Sequence, residues 1–101
     1  MQIHHSPSPT DYQKLGTDEI RAAFLIESLF APGELKLVYT DADRAVVGSA
    51  VPTGGPIRLG ADAELRAAFF CERRELGVLN IGGDGEVEVD GERHPMGRLD
   101  C

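Results

Sequence analysis

The stretch FFCERRELGVLNIGGDGEVEVDG, residues 69–91, decides the fold class. Two apolar runs, 67–71 and 76–81, flank the charged insert Glu72-Arg73-Arg74-Glu75 and read as strands on either side of it. Gly82-Gly83-Asp84-Gly85 then makes a sharp corner. The next residues alternate and end in Asp90-Gly91. A two-residue type I′ turn needs positive φ at both central positions, which Asp-Gly tolerates. Residues 86–89 and 92–96 are therefore expected to pair antiparallel. The glycines of the corner do not form a phosphate cradle. No Lys-Ser/Thr follows them, and a strand comes where a helix N-terminus is required.

Upstream, the period changes from helical to alternating. Residues 1–16 read as an N-terminal arm, with His4-His5 followed by Ser-Pro-Ser-Pro. Thr17 is the expected N-cap of an amphipathic helix over 18–27. Its first turn carries Asp18 and Glu19, and its stripe is Ile20, Ala23, Phe24 and Leu25. That stripe is expected to pack on a sheet as core. Ala31-Pro32-Gly33 ends the helical pattern. Strands are expected over 35–40, 44–51 and 57–59, with 61–66 as a turn. One leading helix followed by short strands and frequent turns indicates a mainly β domain over 17–101, a sandwich or small barrel.

Composition narrows the function classes. The 101 residues carry a net charge of −7, which disfavours nucleic acid or an anionic membrane as partner. No apolar run approaches a membrane span or a signal peptide, so the expected location is the cytoplasm. Cys71 and Cys101 lack metal or redox spacing and read as a buried and a terminal thiol. The last residues, 96–101, look like the start of another element. A sheet open there would leave an unpaired edge, as in a piece of a longer chain or a surface that a partner covers.

Three blocks carry a resemblance: RAAFLIESLF (21–30), DRAVVGSAVP (43–52) and, above all, residues 69–91. Through them the chain resembles the N-terminal part of 5-keto-4-deoxyuronate isomerase, also called 4-deoxy-L-threo-5-hexosulose-uronate ketol-isomerase. The resemblance implies a cupin-like jelly-roll half-barrel, one half of a bicupin, in a zinc-dependent homo-oligomeric aldose–ketose isomerase of pectin-type uronate breakdown. The family's metal motif, His-x-His-Glu-Arg-Arg-x-Glu with a later His, belongs to its second barrel. If the two barrels are a duplication, Phe69 and Cys71 stand where the histidines would be, and Leu76 where the Glu would be. This half then has apolar residues in place of a metal site. His94 has no partner at a useful spacing, and no zinc is expected to bind this chain.

Ketol isomerisation needs a base at the carbon acid and a cation or donors at the developing oxyanion. Glu72 and Glu75 are possible bases, and Arg73 and Arg74 could grip a uronate carboxylate. Weighed against this, alternating charges between strands usually form a solvated or salt-bridged turn. Neighbouring strand residues also face opposite ways, so Arg73 and Arg74 would not converge. Two readings follow: a non-metal cupin portion of the isomerase, inactive alone and able to pair with the second half, or a free-standing cupin-like binding or dimerisation module.

Overall fold

The structure is a computed structural model describing residues 1–101. It resolves into two compact units, Met1–Phe70 and Cys71–Cys101.

The first unit is built on a three-stranded sheet. Strands β1 (Gln2–His4), β2 (Leu35–Thr40) and β3 (Ala45–Ala50) lie in that order. β1 runs parallel to β2, with Ile3 opposite Tyr39. β3 runs antiparallel to β2, with Val38 opposite Val47 and Leu37 opposite Gly48. The segment read as an arm thus contributes a paired strand, then a short helix α1 (Pro9–Tyr12) capped by Ser8. Val38, in the central strand, is only 3% exposed. Burying a side chain of this size is worth roughly 1.5–3 kcal/mol.

Helix α2 (Thr17–Phe24) starts one residue earlier and ends sooner than its sequence suggests. Gly16, not Thr17, is the N-cap, and the Glu19 carboxylate reaches back to accept the Gly16 N–H at 2.8 Å. Leu25 then turns extended, with φ −85° and ψ 129°. The reason lies in the next residues. The Ser49 hydroxyl donates to the Leu29 carbonyl, and Lys36 Nζ donates to the Ser28 carbonyl at 2.8 Å. Lys36 and Ser49 are cross-strand partners, so β2 and β3 together hold this strap and compete with further helix. The expectation that α2 packs as core is overturned. It buries no residue, and Ile20 and Phe24 are 39% and 46% exposed.

Gly48 is the close approach in the sheet. A Cβ there would lie 2.6 Å from Leu37 Cδ2 and 2.7 Å from the Lys36 carbonyl oxygen. Beyond β3 the pairing continues through Gly33 N–H to Val51 O at 2.7 Å. Residues 57–59, expected as a strand, form none, and a 3-10 turn follows at Ala63–Leu65.

The second unit contains the expected hairpin. β4 (Gly85–Val89) pairs antiparallel with β5 (Glu92–Met96), Val89 facing Glu92. Asp90 and Gly91 have φ of 50° and 81°, the two positive values the turn requires. The flanking expectations fail. Neither 67–71 nor 76–81 is a strand, and 68–74 run through turns and bends. Apolar composition there marks a preference that no neighbouring strand satisfies. Cys71, expected buried, is exposed.

Asn80 organises the glycine corner. Its Nδ2 donates to the carbonyls of Gly83, Met96 and Gly97 at 2.8, 3.0 and 3.1 Å, and its Oδ1 accepts from Gly82 N–H at 3.0 Å. Its backbone N–H donates to Asp100 O, and its carbonyl accepts from Leu99 N–H. One side chain thereby ties the corner to the chain leaving β5.

The architecture is mainly β, with two open sheets and few helices. No helix is long and apolar enough to cross a membrane. Gly48→Ala is expected to lower the urea stability of the first unit by about 1–3 kcal/mol, because backbone and side chain would both have to move. Asn80→Ala is expected to cost about 1–3 kcal/mol through carbonyls left unpaired, read as faster amide exchange at Gly82 and Leu99.

Candidate functional site

Arg73 and Arg74 sit in the bend that opens the second unit, Arg73 exposed and Arg74 half-buried. Because the insert is not a strand, alternation of faces does not govern where these side chains go. Glu72 and Arg74 each already interact with another group, so the insert is not four idle charges.

Of the three histidines, His4 ends β1 and His5 follows it, while His94 lies in the second unit. His5 Nδ1 is 3.2 Å from Asp41 Oδ2. His94 lies on β5 opposite Val87, exposed. Cys71 and Cys101 are both exposed thiols. No group of three or more His, Cys, Asp or Glu side chains is placed to hold a metal ion. A catalytic zinc takes three protein ligands and an open position, and these side chains are not brought together as such a set.

Asp41, at the end of β2, takes part in a different construction. Its Oδ1 accepts the Ser6 N–H at 2.7 Å, and its own N–H donates to His4 O at 3.3 Å. It thereby pins the exit of β1 to the exit of β2. The Ser6 N–H holds the Asp41 carboxyl below the usual carboxylate range; partial burial opposes this and His5 assists it. Sequence reading missed this role. Its one available signal was an Asp at the junction of a strand and a turn.

The first unit also carries an open groove of about 570 Å³. Met1, Lys36, Arg58 and Asp62 reach it, over an apolar wall that includes Leu29 and Leu35. Most of its charges are committed. The Met1 ammonium lies 3.4 Å from Asp62, Lys36 holds the Ser28 carbonyl, and Glu27 pairs with Arg21 at 3.3 Å. The groove thus offers the Arg58 guanidinium but no unengaged carboxylate to act as a base. This groove does not assemble the free base and oxyanion donors that an enediolate requires.

Known proteins supply the context that the geometry lacks. No protein-family model matches the chain. Over its full length it is 45% identical to the 4-deoxy-L-threo-5-hexosulose-uronate ketol-isomerase of Opitutus terrae, covering 37% of that protein. The chain is similar to about a third of a uronate ketol-isomerase. The ketol-isomerase of the same name from Halalkalibacterium halodurans is also 45% identical, again with 100% of this chain and 37% of the relative covered. That of Lachnoclostridium phytofermentans is 46% identical over 91 residues, which is 90% of this chain and 33% of the relative. The resemblance to the ketol-isomerases read from residues 21–30, 43–52 and 69–91 is thus found along the whole chain.

The Asp41 contacts yield a pH dependence. A carboxyl whose pKa is depressed in the folded state stabilises above its unfolded value, and the contribution is lost as pH falls through the folded value. The Ser6 amide proton resonance should therefore titrate with a midpoint below that of an ordinary aspartate. In Asp41→Asn that titration should vanish, with faster exchange of the β1 amides at neutral pH.

Proposed function

We propose that this chain is the N-terminal, non-metal cupin portion of a ketol-isomerase. The whole enzyme would interconvert 5-keto-4-deoxyuronate and 3-deoxy-D-glycero-2,5-hexodiulosonate in cytoplasmic uronate catabolism. The observation that carries this reading is 45% identity along the full chain to relatives of which it spans 37%. The portion represented here would give shape and contacts between parts of a homo-oligomer, and by itself would not catalyse.

The chemistry supports that division. Moving a proton between adjacent carbons requires a base and an electrophile at one place. In the family the electrophile would be zinc, which would stabilise the developing oxyanion when bound. In this reading the zinc ligands lie in the part of the enzyme outside these residues, which accords with the dispersed donors of this chain. Arg73 and Arg74 are the side chains proposed to meet the sugar-acid carboxylate, Arg73 being the exposed one. The existing engagement of Glu72 and Arg74 favours a structural use of the rest of the insert.

Purified as 101 residues, the chain should show no conversion of the keto-uronate. Turnover that a chelator abolishes would overturn the assignment. Intact mass of the protein from its native source is expected to exceed twice 10.9 kDa; a mass at 10.9 kDa would favour the free-standing binding module. In the intact enzyme, Arg73→Ala should raise KM for the uronate by about tenfold if one charge-assisted contact is lost, with kcat little changed.

A further inference from the structure

The chain leaves unusually much surface uncovered. Its accessible area is 7899 Å². A compact monomer of this mass would expose roughly 5,600 Å², and two wholly separate compact units roughly 6,600 Å². Among large apolar side chains only Val38 and Phe70 are buried.

The uncovered apolar surface is densest in one run of the second unit. Leu76, Val78, Leu79 and Ile81 are 47%, 36%, 59% and 51% exposed. Main-chain groups tell the same story. Residues 76–79 belong to no helix or strand and form no backbone hydrogen bond, while Asn80 alone bridges to Leu99 and Asp100. Apolar residues at successive positions suit a strand covered on both faces. The neighbouring β4–β5 hairpin has only two strands, and such a pair is marginal without a third strand or a packed layer. The run therefore has the side chains of an inner strand, a main chain unpaired over 76–79 and no sheet of its own.

We infer that residues 76–81 are a docking strand, completed by a β-strand from the part of the same ketol-isomerase polypeptide that lies outside these 101 residues. The relatives supply the occupant's source, since each matches this chain along most or all of it and has nearly two thirds of its length elsewhere. Strand addition would pair the free N–H and C=O groups of 76–79 and cover the aliphatic side chains together. The inference rests on the reading of the chain as part of that polypeptide, and not on its activity.

The test uses the intact Opitutus terrae relative and this chain side by side. A photo-crosslinking residue at the relative's position aligned with Leu79 should join to peptides outside the matched third. With isotopically light and heavy protein mixed, those products should be light–light and heavy–heavy. Mixed products would place a second copy there instead, and products confined to the matched third, or none, would equally overturn the inference. Amides aligned with 76–79 should exchange at least about 10³-fold more slowly in the relative than in this chain. In this chain Leu79→Lys should leave the β4–β5 amide resonances in place; their loss would show that the run is already packed. An isomerase assay of the relative separates the two readings, because absent turnover with the cross-link intact removes the activity and keeps the docking strand.

Discussion

The Ser49 hydroxyl and the Lys36 ammonium reach from adjacent strands to the carbonyls of Leu29 and Ser28. These two bonds set much of what happens in the first unit. A helix continuing past Phe24 would claim the following carbonyls for itself. Here the strap leaving the helix is held by the sheet instead, and a cross-strand pair supplies both donors. The close pairing of β2 and β3 that brings the donors into line also requires Gly48, since a side chain there would strike Leu37 and the Lys36 carbonyl. The same pattern recurs at the far end of β2, where Asp41 holds the chain leaving β1. Polar contacts to main-chain groups, more than apolar burial, locate the segments around the sheet.

The second unit repeats the principle on a smaller scale. A half-buried Asn80 serves the Gly83 carbonyl inside the glycine corner and those of Met96 and Gly97 at the end of β5. Each amide bond replaces one to water, so the net gain per bond is about 1 kcal/mol. The larger effect is penalty avoided, because carbonyls at a tight corner have few other partners. What this bonding does not do is cover hydrocarbon. Ile20 and Phe24 in one unit, and the 76–81 run in the other, remain in contact with water.

That distribution accords with the proposed reading of the chain as one part of a longer polypeptide. The groove of the first unit offers the Arg58 guanidinium, while its carboxylates, Glu27 and Asp62, are held in ion pairs. The chain's likeness to the ketol-isomerases nevertheless runs through the sheet, the strap and the hairpin. Sequence similarity of that kind constrains a fold at least as strongly as a site, so retention of the framework does not require the chemistry to reside in it.

The local rules were legible in the residues, and the long-range partners were not. Asp90-Gly91 specified its own turn, because positive φ is a property of two residues and needs no distant partner. The alternation of 35–40 likewise announced a strand, and residues 69–91 carried the family resemblance. The end of α2 depended on Lys36 and Ser49, which lie eight and twenty residues beyond the carbonyls they capture. Helix propensity over 25–27 could not reveal that competition. Apolar runs at 67–71 and 76–81 recorded a preference for strand surroundings, but a strand exists only when another backbone pairs with it. The clustering of Asn80 with Gly97 and Asp100, and the grouping of Arg58 with Met1 and Asp62 at one groove, were tertiary decisions. In sequence these residues are far apart, and nothing in their local spacing says which main-chain groups will be left needing a partner.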